Sequence, residues 1–271
     1  MLSPFTHDHD GERLSCVGSG VRDGSGGGSA TAVLLHGAGS GSKERLLPLL
    51  DDFAARGLAG LAFDFSGHGG STGELGESSL QRRFEQAVSV IDATVAPGGP
   101  LILVGFSMSG QTVADLARHY GERVAALVLC APAVYAAEAW PVPFDDRTGG
   151  EPGKGAGETG PGQAAGATES RFSRIIRTPD SWRRAPALDV LRAYAGRAVL
   201  AVPGTDTVIP PAVTEAVADA LGARARLTRF DLPDAEHMLG LWFRDHAEDR
   251  RRLVDLALTG PGDQVPTAAE A

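Results

Sequence analysis

Six short apolar runs recur along the chain, at 32–36 (AVLLH), 58–63, 101–106 (LILVGF), 124–130 (VAALVLC), 198–202 and 227–232. Each is five to seven residues long, the length of a strand buried on both faces. Between them the apolar positions recur every three or four residues. In 80–95 they are Leu80, Phe84, Val88, Ile91 and Val95, which is helical spacing. The same period predicts helices at 45–56, with Leu46, Leu49, Leu50 and Phe53 on one face and Gly57 as its stop, and at 111–120, 212–221 and 245–258. Strand and helix alternate, and that order builds βαβ units on a parallel sheet. The pattern predicts an α/β fold.

Between 132 and 197 the alternation stops. The segment opens with prolines and aromatics, crosses a glycine-rich tract and resumes as FSRIIR and SWRRAPALDVLRAY. Residues 148–168 hold eight glycines in twenty-one positions and almost no large apolar side chain, so this tract cannot build a core and is expected to be flexible. The predicted organisation is a core made of 1–131 and 198–258, a cap insertion at 132–197 and a disordered tail at 259–271. Residues 18–28, also glycine-rich, read as a surface turn before the first buried strand.

Composition narrows the function classes. The chain has 271 residues, 42% hydrophobic and 22% charged, with a formal net charge of -9. That balance argues against a general affinity for nucleic acid or an anionic membrane, both of which need a positive surface. No run approaches a membrane span and the N-terminus lacks a signal-peptide pattern, so a cytoplasmic location is expected. The two cysteines, Cys16 and Cys130, read as buried thiols rather than a disulfide or metal ligands. His7, Asp8, His9 and Asp10 near the start read as a hydrated, frayed terminus. No metal site and no cofactor are expected.

Candidate chemistry begins at Ser107 in VGFSMSG, directly after a predicted strand and before a predicted helix. A sharp turn there lifts a serine hydroxyl out of the backbone, and small residues on either side let strand and helix pass. Gly105 serves on one side. On the other stands Ser109 rather than glycine, followed by Gly110. A nucleophilic serine needs a base, an acid and oxyanion donors from elsewhere. LHGAGSG at 35–41 also ends a predicted strand, making the Ala38 N–H a candidate donor beside that of Met108. His36 in this motif reads as structural. Asp206 lies in GTDTVIP after a late strand, 99 positions past Ser107, and His237 lies in AEHML 31 positions further on. The strand before the insertion ends CAPAVYAAE, with no acid before Glu138, and Asp231 and Asp234 lie too near His237 to be its partner.

With LHGAGSG, FDFSGHGGSTG, GFSMSG, GTDTVIP and AEHML in place, the chain resembles the α/β-hydrolase family over roughly 200 residues. It is most similar to the bacterial serine esterase branch that includes cinnamoyl esterases, with Asp64, Gly67, Gly69 and Ser71 matching that branch's "DFxGHGxS" loop. The resemblance implies an α/β-hydrolase fold, a mostly parallel sheet flanked by helices with a short cap. It implies Ser107 as nucleophile, His237 as general base and then acid, Asp206 as its orienting partner, and Ala38 with Met108 as oxyanion donors. Asp64 and His68 would brace the turn. Trp140, Phe144, Phe172 and Trp182 in the insertion are candidates for a pocket wall, or for packing the cap onto the core. The expected reaction is hydrolysis of a small to medium, partly apolar carboxylic ester through an acyl-enzyme. Acyl transfer, lactonase or cyclase/lyase chemistry at the same residues, and a non-catalytic ligand-binding role, stay open. Oligomeric state is not legible.

Overall fold

The computed structural model describes residues 1–20, 30–148 and 169–259. The glycine-rich tract and the tail fall, except for Thr148 and Thr259, outside the described residues, as does most of the 18–28 turn. Eight strands, β1 (Ser3–His9), β2 (Glu12–Ser19), β3 (Thr31–Leu35), β4 (Ala59–Phe63), β5 (Leu101–Phe106), β6 (Val124–Cys130), β7 (Arg197–Pro203) and β8 (Arg226–Leu232), form one sheet. Their order is β1-β2-β4-β3-β5-β6-β7-β8, with β1 and β2 antiparallel to their neighbours and the rest parallel. The helices are α1 (Leu47–Ala55), α2 (Leu80–Thr94), α3 (Ser109–Tyr120), α4 (Arg171–Arg177), α5 (Pro186–Ala193), α6 (Pro211–Gly222), α7 (Leu239–Asp245) and α8 (Ala247–Leu258).

The two-residue period of the strands sorts the core into two layers. Val33, Leu35, Leu103, Leu127 and Leu200 face α2, α3, α5 and α6, while Leu34, Val104, Val128 and Val199 face α1, α7 and α8. Strands β3 to β6 are almost wholly buried, which is why they read as continuous apolar runs. The chain leaves β3 toward β4 on one side and returns to β5 on the other. The crevice at the carboxyl ends of β3 and β5 is therefore the topological switch point, where ligands bind in open sheets of this kind.

Several expectations need correction. Residues His7 to Asp10 are not a frayed terminus: β1 pairs with β2 across a turn at Asp10 and Gly11, both with positive φ, and His7 Nε2 lies 2.7 Å from Ser89 Oγ on α2. This edge strand is half-exposed, so its polar residues hide the pairing. The predicted 45–56 helix starts as a 3₁₀ turn, Lys43–Leu46, before α1. An additional helix, α7, precedes the predicted 245–258 helix, and the two are divided at His246. Within the insertion, α5 buries Ala187, Leu188 and Leu191 in the main core. Both cysteines are buried and free, and burial pushes the Cys16 thiol up to about 12.

Candidate active site

Three loops at the carboxyl ends of the strands assemble the site. The first is the turn from β5 to α3. Ser107 has a φ of 50°, a left-handed conformation that non-glycine residues rarely adopt and that persists only where its surroundings enforce it. Its N–H donates to the Cys130 carbonyl (2.9 Å), and its own carbonyl accepts from Gly110 (2.8 Å) and Ala133 (2.9 Å). A β-carbon at Gly105 would sit 2.6 Å from both the Ser109 carbonyl and a Val113 methyl, so strand and helix pass there only over glycine.

The second loop follows β7. Asp206 accepts the Val208 and Ile209 N–H groups on Oδ1 (2.7 and 3.0 Å), which leaves Oδ2 for His237 Nδ1 at 2.9 Å. The third follows β8 and carries His237, whose Nε2 is 2.9 Å from Ser107 Oγ. Since the carboxylate only accepts, Nδ1 carries the proton and Nε2 is free to accept from the serine hydroxyl. The two side chains are 10% and 11% exposed, partly screened from water. The acid and histidine loops are stitched together by Gly204 N–H to Leu232 O (2.8 Å) and Thr205 N–H to Ala235 O (3.0 Å). A side chain at Gly204 would run into the Pro233 backbone. Gly204→Ala is therefore expected to displace Asp206 and slow the reaction of Ser107 with a small fluorophosphonate by roughly tenfold or more, because small misplacements of a reacting group are costly. An unchanged labelling rate would show that the loop absorbs the methyl.

The loop after β3 lies against the serine. Gly37 packs so closely that a β-carbon there would be 3.2 Å from Ser107 Cβ. His36 is 2% exposed; its Nε2 accepts the Phe65 N–H (3.1 Å), so Nδ1 bears the proton and donates to the Gly37 carbonyl (2.6 Å). That bond fixes the peptide whose other end is the Ala38 N–H. The N–H groups of Ala38 and Met108 donate to no other described residue. His36 thus has a structural part. Burial, with Arg83 and His68 beside it, holds its imidazole well below the usual value. Above the unfolded value of 6.5 neither state binds the proton. Below it only the unfolded chain does, so stability present above about pH 6.5 is lost as pH falls. Between pH 7 and 5.5 this group alone should remove on the order of 1 kcal/mol. Urea midpoints at the two pH values should fall more steeply for the wild type than for His36→Gln; parallel slopes would contradict this.

Asp64 is fully buried and accepts the Lys43 N–H and Nζ (2.7 Å each) and the Gly70 N–H (2.9 Å), bracing the loops after β3 and β4. His68 lies with its ring 4.7 Å from that of His36. The cavity beside Ser107, about 310 Å³, is walled by Leu46, Phe106, Leu239, Met238 and Val208. The last two are exposed at 41% and 60%, so the rim is apolar as well.

None of Trp140, Phe144, Phe172 and Trp182 lines this cavity. Trp140 donates its indole N–H to Asp115 (3.1 Å), and Trp182 packs on the main core under Arg183. Phe144 and Phe172 stack edge to face in a cluster that also contains Met108 and Ala38, so they back the loops that hold the candidate donors. Sequence reasoning missed the rim residues Val208 and Met238, which flank Asp206 and His237 and could have been found by that adjacency. It also missed Arg83. Among the described residues no cluster of three or more His, Cys, Asp or Glu is arranged to hold a metal, and no helix is long and apolar enough to cross a membrane.

Residues 28–157 match the family described as serine aminopeptidase, S33. A 105-residue stretch, 37% of this chain, is 30% identical to the multifunctional-autoprocessing repeats-in-toxin protein of Vibrio cholerae serotype O1, and corresponds to 2% of that protein's length. Among solved structures, the thioesterase domain from the curacin biosynthetic pathway is similar with a TM-score of 0.63 at 16% identity, covering 94% of this chain and 99% of that one. Est1E from Butyrivibrio proteoclasticus with ferulic acid bound gives a TM-score of 0.63 at 16% identity over 94% of this chain and all (100%) of that one. Likeness running through nearly the whole chain, on a mostly parallel eight-stranded sheet, shows that this protein has the α/β-hydrolase fold.

Proposed function

We propose that the protein is a serine hydrolase that cleaves a small to medium, partly apolar carboxylic ester. The observation that carries this reading is the unbroken hydrogen-bonded chain from Asp206 through His237 to Ser107. His237 takes the Ser107 proton as the hydroxyl oxygen attacks the acyl carbonyl. The tetrahedral oxyanion is held by the Ala38 and Met108 N–H groups. His237 then gives its proton to the departing alcohol, and water repeats the sequence in reverse on the acyl-enzyme. These steps need no metal or cofactor.

The cavity wall favours an ester over a peptide with a free amino end. Holding an α-ammonium group calls for a carboxylate, and the lining residues include no Asp or Glu; besides histidine the charged residue there is Arg45. The aliphatic and aromatic walls suit a short apolar acyl or alcohol group. Steady-state turnover of p-nitrophenyl acetate, butyrate, octanoate and laurate tests the reading. Highest kcat/KM at the short to medium chains is expected. Turnover of aminoacyl anilides with none of these esters would overturn it.

A further inference from the structure

Arg83, on α2, is 0% exposed and is the bulkiest fully buried side chain among the described residues. Among the described residues no carboxylate pairs with it. Its Nη2 donates to the His36 carbonyl (2.6 Å) and to Ser109 Oγ (2.9 Å), its carbon lies 3.7 Å over the Phe65 ring, and Nε and Nη1 have no partner among the described residues. Ser109 Oγ in turn donates to the same His36 carbonyl at 2.6 Å. Burial draws the guanidinium down to about 9, so it remains a cation at neutral pH. An unpaired buried cation is costly, and an apolar side chain of the same volume would avoid that cost.

Position supplies the reason. His36 begins the turn that presents the Ala38 N–H, and Ser109 begins α3 just after the Met108 N–H. These two donors hang on different strands, β3 and β5, and their spacing must be held to a fraction of an ångström to meet one oxygen. The triangle of Arg83, Ser109 and the His36 carbonyl joins the two loops. It uses the hydroxyl of Ser109, the residue that departs from glycine in the serine turn.

We propose that Arg83 and Ser109 are positioning residues that clamp the loop bearing Ala38 to the turn bearing Ser107 and Met108, and that the unpaired guanidinium behind them favours the negatively charged intermediate. The catalytic half of this inference rests on the serine hydrolase reading; the clamp itself does not. A cation in a low-dielectric interior acts on a developing oxyanion far more strongly than one in water.

The test compares wild type with Ser109→Ala, Arg83→Met and Arg83→Lys, each checked for folding by thermal melt. Hydrogen exchange over residues 36–42 should speed up about tenfold in Ser109→Ala. With p-nitrophenyl butyrate, Ser109→Ala should lose about tenfold in kcat with KM within about twofold, and an alkylboronic acid mimic of the intermediate should bind about tenfold more weakly. Arg83→Met should lose more, and Arg83→Lys, which keeps a cation and a donor, should recover part of that loss. Unchanged exchange in a folded Ser109→Ala overturns the clamp. A rise in KM matching or exceeding the fall in kcat overturns the positioning role. Failure of the hydrolase reading is separate: it appears as a wild type without ester turnover, and the exchange measurement still decides the clamp.

Discussion

Ser107→Ala is expected to lower ester turnover by on the order of 10⁴-fold or more, with no loss of stability. Among the described residues the hydroxyl makes one side-chain hydrogen bond, to His237, and the turn is held by backbone bonds to Cys130, Gly110 and Ala133 that alanine keeps. Alanine also carries the same β-carbon, so the strain at a φ of 50° is unchanged. What is removed is the atom that would form the acyl bond. Steady-state rates and a urea titration on the same preparations separate the two effects. A variant that retains a tenth of wild-type turnover would assign the chemistry to another group, whereas a large fall in stability would make the loss uninformative about catalysis and count against the account of the turn.

Asp206→Asn should cost about 10³- to 10⁴-fold in kcat, by a different route. Oδ1 of Asp206 accepts two backbone N–H groups, so an asparagine must keep its carbonyl oxygen there and turn its amide nitrogen toward His237. That nitrogen donates. Nδ1 of His237 must then accept, which moves the ring proton to Nε2, where it faces Ser107 Oγ and leaves no lone pair to receive the serine proton. The geometry survives and the tautomer is wrong. KM should change little, since the side chain lies behind the histidine. Near-normal kcat in Asp206→Asn would mean that the carboxylate has no part in setting the tautomer.

Much of this architecture is legible in the residues because it follows from periodicity. Buried parallel strands need apolar residues on both faces, and β3, β5 and β6 read as such. The serine, acid and histidine are legible because each sits in a turn-forming motif after such a strand. The β1–β2 hairpin was hidden because an edge strand alternates polar residues that resemble a hydrated tail. On α2 the apolar spacing picks out Leu80, Phe84, Val88, Ile91 and Val95; Leu80, Ile91 and Val95 are buried, Phe84 and Val88 are only partly so, and the buried stripe also takes in Arg83, Gln86, Ala87 and Val90. A charged residue on that stripe is invisible to a hydrophobic period, although its i, i+4 and i+7 relation to Ala87 and Val90 was there to be read. The insertion aromatics illustrate a further limit: aromaticity predicts burial, but the surface that buries it is chosen by tertiary contacts such as Trp140 with Asp115.

The measurement that bears most directly on the central claim is intact-mass labelling with a small fluorophosphonate, on wild type beside Ser107→Ala and His237→Ala. Attack by an activated serine on phosphorus expels fluoride and leaves one stable adduct, and it requires no knowledge of the natural ester. The account predicts a single adduct on the wild type, none on Ser107→Ala and greatly slowed labelling of His237→Ala. A folded wild type that takes up no adduct, or an adduct that persists in Ser107→Ala, would contradict it.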